Sequence, residues 1–260
     1  MKNQNAVTKT AAVCLFLLSY SPTVPAENSK LAFTTGLDYS TGKYGKSEKT
    51  EIKYIPFTGK YEHGRWMFKL TVPWLEIDGP GGVTGDSKLV VSSSNAQRSV
   101  ESGIGDVVAN SNYTFLYLPK EKFMLDVGGK VKFATASKNK GLGTGENDYS
   151  IYMDAYKTLG RFTLLSTLGY KMIGDTNDYD FNNVWYGTLG AIYKINTNNN
   201  LGLLLDLRQA SWEYNSNIRE YTLYYSHHFN PTYGLQSYIT TGDTKSSVDL
   251  SGGLMLSVNF

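Results

Sequence analysis

From Val248 to Phe260 the chain alternates without a break. Val248, Leu250, Gly252, Leu254, Leu256, Val258 and Phe260 fall on one face, and Asp249, Ser251, Gly253, Met255, Ser257 and Asn259 on the other. A period of two marks a strand whose faces meet different surroundings. The same alternation sets Leu31, Phe33, Leu37 and Tyr39 against Thr34, Gly36, Asp38 and Ser40. It recurs at Trp66, Phe68, Leu70, Val72 and Trp74, at Phe123, Leu125, Val127, Val131 and Phe133, and at Leu201, Leu203, Leu205 and Leu207. No stretch beyond residue 26 has a clean helical period.

Twelve segments read as strands on this criterion: 31–41, 51–62, 65–78, 104–118, 123–136, 149–158, 161–174, 184–196, 201–213, 218–229, 233–241 and 247–260. Their connections alternate in length. Tight ones (His63-Gly64, Pro119–Lys122, Leu159-Gly160, Thr197–Asn200, Asn230–Thr232) take turns with generally longer polar ones (42–50, 79–103, 137–148, 175–183). Short turns on one side, longer loops on the other and an even strand count predict an all-β fold: a transmembrane antiparallel up-and-down β-barrel of about twelve strands. Aromatic residues support it by clustering at strand ends, where strands cross a membrane interface. Tyr61, Trp66, Tyr117, Phe123, Phe162, Tyr193, Phe229, Tyr233 and Phe260 mark the turn side, and Tyr39, Trp74, Tyr149, Trp185 and Tyr221 the loop side.

Composition adds the export route. The chain has 260 residues, 26 of them Gly and 20 Tyr, with a single Cys. Residues 1–26 have the parts of a cleaved signal peptide: Lys2 and Lys9, an apolar run from Ala11 to Tyr20, and Val24-Pro25-Ala26 before the cut. Cleavage between Ala26 and Glu27 leaves residues 27–260 as the barrel domain. The only cysteine, Cys14, goes with the leader, which removes disulfides and thiolate metal sites. Loss of Lys2 and Lys9 leaves 23 basic against 23 acidic residues, so there is no electrostatic footprint for nucleic acid. Localisation in a bacterial outer membrane follows, and Phe260 at the end of an alternating strand resembles the signal read by the barrel assembly machinery.

If the apolar face meets lipid, the other face lines the interior. The ionisable residues on it are Asp38, Lys60, Lys69, Asp106, Asp126, Lys130, Lys132, Asp154, Lys171, Lys194, Asp206, Arg208, Glu220 and Asp249. Asp106, Lys130, Lys132, Asp154, Lys171, Asp206 and Arg208 are the candidate pore-lining residues, with Lys130, Lys132 and Lys171 as a possible positive stripe. The charges either pair across the interior or line a water-filled path. The long Gly- and Ser-rich segment 79–103 is expected to fold over or into the mouth.

Catalytic constellations are thin. His63, His227 and His228 all map to the turn side, and no serine on the loop side has a histidine at its level. Gly141–Gly145 reads as loop chemistry without the helix a phosphate cradle needs. Asp175, Asn177, Asp178 and Asp180 mimic a calcium loop, but Asp180 and Tyr186 stand where Gly and Glu are required. No cofactor, metal site or enzymatic activity is expected.

Two segments carry a family resemblance. Gly103-Ile104-Gly105-Asp106-Val107 and residues 130–150 (KVKFATASKNKGLGTGENDYS) resemble the G-x-GD opening and the strand-loop-strand of the outer-membrane channels grouped under the MetA-pathway of phenol degradation. Phe133-Ala134-Thr135-Ala136-Ser137 replaces that family's Pro-Thr-Gly step, which suggests a divergent branch. The resemblance implies a monomeric twelve-stranded channel for small solutes, hydrophobic or aromatic ones included. The partners are then the bilayer, the assembly machinery and the solute. The alternatives are a plugged structural or adhesive barrel and, further off, an outer-membrane enzyme.

Overall fold

The computed structural model describes residues 9–10, 26–44, 48–80, 82–84, 89–91, 98–176, 180–212 and 215–260. The signal segment falls almost wholly outside these residues. So do residues 81, 85–88 and 92–97 of the long loop and the centre of the calcium-like loop. Twelve strands form the barrel: β1 (Ala26–Gly42), β2 (Thr50–Gly64), β3 (Trp66–Gly79), β4 in two pieces (Ser99–Ile104 and Val107–Leu118), β5 (Phe123–Phe133), β6 (Asp148–Leu159), β7 (Phe162–Met172), β8 (Val184–Lys194), β9 (Asn199–Arg208), β10 (Ile218–His228), β11 (Tyr233–Gly242) and β12 (Leu250–Asn259). Each pairs antiparallel with its sequence neighbours, and β12 pairs with β1 over ten registers, Leu250↔Thr41 to Asn259↔Ala32, so the sheet closes and no edge is left. Three short strands, Lys9–Thr10, Gly82–Thr84 and Leu89–Val91, form a separate small sheet.

The outward face is apolar along every strand: Leu31, Phe57, Leu70, Ile151, Leu168, Leu189, Leu203, Ile239 and Leu254 are all well exposed. Such a belt on a closed sheet is stable only against hydrocarbon, where the closed ladder also satisfies every backbone polar group. The aromatics stand at the two rims. Trp66 packs on Tyr113 with ring centroids 4.9 Å apart, Phe162 on Tyr193 at 4.9 Å and Tyr170 on Trp185 at 5.1 Å.

The fourth strand is broken. Its upper piece pairs with the distal half of β3 (Trp74↔Ile104 to Gly79↔Ser99) and its lower piece with the proximal half (Trp66↔Tyr113 to Thr71↔Val108). Gly105 at the break donates to Pro73 O, and a Cβ there would meet Leu75 Cδ1 at 2.7 Å, so a larger residue would have to push Leu75 aside. Lower down, a bulge between Thr114 and Leu116 shifts the phase by one residue. Phe115 faces out, 63% exposed, and Tyr117 pairs with Met124 and packs on the interior cluster instead of joining the outer girdle expected for it.

Three other residues depart from simple alternation. Val248 is buried, because the chain before β12 folds inward, and Asp249, expected in the lumen, is exposed there. Lys194 ends β8 at the rim and is also exposed.

Candidate functional site: the barrel interior

Residues paired across neighbouring strands form ladders, and strand tilt makes each ladder wind along the inner wall. One ladder reads Lys60, Lys69, Asn110, Lys130, Ser150, Lys171 across β2 to β7. It starts four residues from the turn end of β2 and finishes one residue from the loop end of β7. Two residues away on each strand, about 7 Å, the next ladder reads Asn112, Gly128, Tyr152, Gly169, Tyr186, Arg208. The one beyond reads Thr114, Asp126, Asp154, Thr167, Thr188, Asp206, Glu220. An amine rail, a tyrosine-glycine stripe and a carboxylate rail therefore run side by side from one end of the barrel toward the other.

Tyrosine paired with glycine has a steric meaning. A Cβ on Gly128, Gly169, Gly202 or Gly253 would collide with the ring of Tyr152, Tyr186, Tyr224 or Tyr238 on the adjoining strand. With hydrogen alone in that place the ring lies flat on the wall and its hydroxyl reaches one strand further. Tyr152 crosses Gly128 to donate to Asn112 Oδ1 at 2.6 Å, and Tyr238 crosses Gly253 to donate to Asp38 Oδ2 at 2.5 Å. The carboxylates are likewise turned into the wall. Asp154 accepts from Thr167 at 2.6 Å and Asn112 at 3.3 Å, Asp206 from Thr188 at 2.5 Å, and Asp38 also from Ser251 at 3.0 Å.

All seven candidate residues face the interior. The structure separates them by environment. Lys132 lies within 3.3 Å of both Asp106 and Asp148, and Lys171 within 3.0 Å of Asp148, all with nearly buried side chains. Lys132 and Lys171 are thus compensated and do not make a bare positive stripe with Lys130. Lys130 stands 5.8 Å from the ring centroid of Tyr186. Asp148 was missed in the sequence because it begins a strand after a polar loop, where nothing marks it as an inward residue.

The broken fourth strand aims Asp106 at this cluster. Ala136 N donates to Asp106 Oδ1 at 2.9 Å, Thr135 Oγ1 donates to Gly105 O at 3.1 Å and accepts from Val107 N at 2.9 Å. The G-x-GD segment and residues 130–150 thus meet in space. Above them the loop 137–147 turns inward, and Leu142 packs with Tyr44, Ala136 and Val248 on Ile52, Tyr54, Leu75 and Ile77 of the inner wall. The element that narrows the loop end, among the described residues, is this loop with Tyr44 and Val248. The 79–103 segment, given that role from sequence, has its middle, 85–88 and 92–97, outside them. Alternation hid this lid because Leu142 and Tyr44 sit in Gly- and Lys-rich stretches. A second apolar cluster, Met124, Tyr156, Leu165, Leu204, Tyr224, Tyr238 and Met255, coats the wall lower down.

At the turn end the interior opens into a cleft of about 150 Å³ lined among others by Lys60, Lys69, Gln236 and Asn259, with no Asp or Glu in its lining. His63, His227 and His228 lie at this end of the barrel, as expected. No group of three or more His, Cys, Asp or Glu able to hold a metal ion occurs among the described residues.

Fold and interior together define a transmembrane β-barrel of the outer-membrane type. Among solved structures the chain is similar to the COG4313 outer membrane channel from Pseudomonas putida F1, with a TM-score of 0.71 and 12% identity over 92% of this chain and 97% of that one. It also aligns with the KdgM porin (TM-score 0.49, 10% identity, 89% of this chain and 98% of that one) and the translocator domain of the autotransporter NalP from Neisseria meningitidis (0.48, 10%, 94% and 90%). No family model and no curated protein matches the sequence.

Proposed function

We propose that this protein is an outer-membrane channel for passive passage of small solutes, exported with cleavage between Ala26 and Glu27 and assembled as a monomer through its last strand and Phe260. The observation that carries the reading is the polar and charged inner wall winding along a closed twelve-stranded barrel, a wall suited to the passage of hydrated solutes. Likeness in fold to the Pseudomonas putida channel supports it. Flat tyrosine faces on the wall suit solutes with a ring or an apolar body.

One observation favours a second reading, a barrel closed at its loop end: Tyr44, Leu142 and Val248 are 1% exposed, and the cluster under them is ion-paired. Single-channel recording of refolded residues 27–260 beside Tyr44→Ser/Leu142→Ser separates the two. Steady openings in the parent, enlarged in the variant, support a channel with a narrowed mouth. Openings in the variant alone mean a barrel closed by the lid, and silence in both, with folding shown by heat-modifiable migration, sinks the channel reading.

A further inference from the structure

The lid at the loop end is held unevenly. Its stem is pinned: Ala134 N donates to Asn147 Oδ1 at 2.8 Å, and Ala136 N to Asp106 Oδ1 at 2.9 Å. Its tip bonds to the barrel, among the described residues, through two longer contacts from lysine ends, Lys132 Nζ to Thr144 Oγ1 at 3.4 Å and Lys140 Nζ to Ser102 O at 3.2 Å. The remaining hold is one side chain. Leu142 is the single apolar residue of 137–147, and it is buried in a socket of Tyr44, Ile52, Tyr54, Leu75, Ile77 and Val248. Flanking it, Gly141 and Gly145 have left-handed backbone, with φ of 66° and 81°, and so does Tyr44 across the socket at 46°. That conformation costs free energy in a residue with a side chain, and at Tyr44 it is sustained by the packing of the ring. Beneath the socket the charges balance, Lys132 and Lys171 against Asp106 and Asp148.

We propose that this socket is a binding site for the apolar group of a small uncharged solute, that Leu142 is its built-in occupant, and that a solute opens the mouth by taking Leu142's place. The class of solute follows from the lining. The socket offers hydrocarbon and two rings, and the paired cluster beneath it has no surplus charge with which to hold an ion. The exchange is close to balanced. A group of leucine's size recovers the transfer free energy that Leu142 gives up on leaving, and water can replace the two lysine contacts at the tip. Glycine at 141 and 145 lets the tip turn about its pinned stem without a steric penalty, and release of Tyr44 returns its backbone to an ordinary region. A ligand shifts such an equilibrium only by differential affinity. Here the difference is complete, since the socket is filled while Leu142 is in it. Solute-driven opening rests on the channel reading, whereas occupancy of the socket stands or falls by itself.

From residue 27 onward the chain has no cysteine, so one engineered thiol reports one place. A small charged methanethiosulfonate reagent reads two such reporters in refolded residues 27–260. Thr144→Cys sits on the buried part of the tip, and Ile77→Cys on the socket wall, with Leu142→Ala beside it to clear the socket. The probe is 3-methylbutan-1-ol, which carries leucine's own isobutyl group, and glycerol is the polar control. The alcohol should speed modification at Thr144→Cys and slow it at Ile77→Cys, and glycerol should do neither. Adding Leu142→Ala should by itself speed the Thr144→Cys reaction about tenfold, the low end for transfer of one leucine side chain. Faster reaction at both places means a loosened barrel and overturns the proposal, as does no change at Thr144→Cys or no protection at Ile77→Cys. Every variant must show heat-modifiable migration, and if Thr144→Cys does not fold, Leu142→Cys takes its place as the lid reporter. In a planar bilayer the alcohol should raise the open fraction of the parent and leave Tyr44→Ser/Leu142→Ser unchanged. Openings indifferent to the alcohol overturn its part in opening while the channel reading stands. Silence in both proteins sinks the channel reading and leaves the socket to be decided by the thiol rates.

Discussion

On the inner wall, a tyrosine opposite a glycine decides how much of the bore is filled. Tyr224 lies across Gly202, and Gly202→Ala would put a methyl into the ring plane. We expect a loss of about 1–3 kcal/mol from overpacking, together with a smaller conductance as the ring swings inward. Urea unfolding of the vesicle-inserted protein, followed by tryptophan fluorescence, measures the first. Lys132 poses the opposite problem, since removing it takes away the ion-pair partner of the buried Asp106 and leaves the buried Asp148 with Lys171 alone. Lys132→Ala should cost about 3–5 kcal/mol, and adding Asp106→Asn should recover part of it; equal stability of single and double variants would contradict the pairing. Outside the membrane, Arg219 Nε donates to both carboxylate oxygens of Asp243, at 2.8 and 2.9 Å, and holds that carboxyl below the usual carboxylate range. A lowered carboxyl contributes above its unfolded value and is lost as pH falls through the lowered one. Amide exchange in 243–247, corrected for intrinsic rate, should stay level from pH 8 to about 5 and speed up only in stronger acid. Asp243→Asn should remove that acid step. The inward carboxylates and lysines were legible from sequence as members of alternating strands, whereas the tyrosine-glycine pairing was not, because it joins residues on different strands whose register only the sheet fixes.

Among the elements, the strands were the easiest part to read and the inward loop the hardest. Alternation located all twelve strands because hydrocarbon outside and a different interior impose opposite demands on successive residues. It failed where the chain itself breaks period two: at the Thr114/Leu116 bulge, which turned Tyr117 inward, and before β12, which buried Val248. Where the period holds, the outer face is unforgiving. Leu168, 58% exposed in the middle of β7, faces lipid. Leu168→Arg should destabilise the inserted barrel by about 2–4 kcal/mol, whereas Thr167→Arg beside it, pointing inward, should change ion preference more than stability. Comparing vesicle-insertion free energies with reversal potentials for the two variants tests that assignment. The 137–147 lid could not be foreseen by periodicity, since its single buried apolar residue, Leu142, gains meaning only from Ile52 and Leu75, far away in sequence.

For the molecule as a whole, the sum of charges is uninformative and their placement is not. Equal numbers of acids and bases from residue 27 onward give no net field, yet register sorts them into rails of opposite sign on one wall. The lengths of loops and turns indicated a barrel, and closure supplied what the sequence lacked, namely which residues stand beside which. Closure also makes contacts unlike the rest, Ser251 and Tyr238 both donating to Asp38 across the seam. The bond from Tyr238 to Asp38 passes over Gly253 and straddles the junction of first and last strands, between residues 200 positions apart. It cannot form in any shorter or half-finished version of the chain, so Asp38 reports completion. Until that latch shuts, a carboxylate faces the gap through which lipid would enter, and an unfinished sheet is penalised at the place where it is open. A copy that lacks its last two strands would therefore leave the first strand without its seam partners, the ladder from Ala32 to Thr41 and the bonds to Asp38 alike.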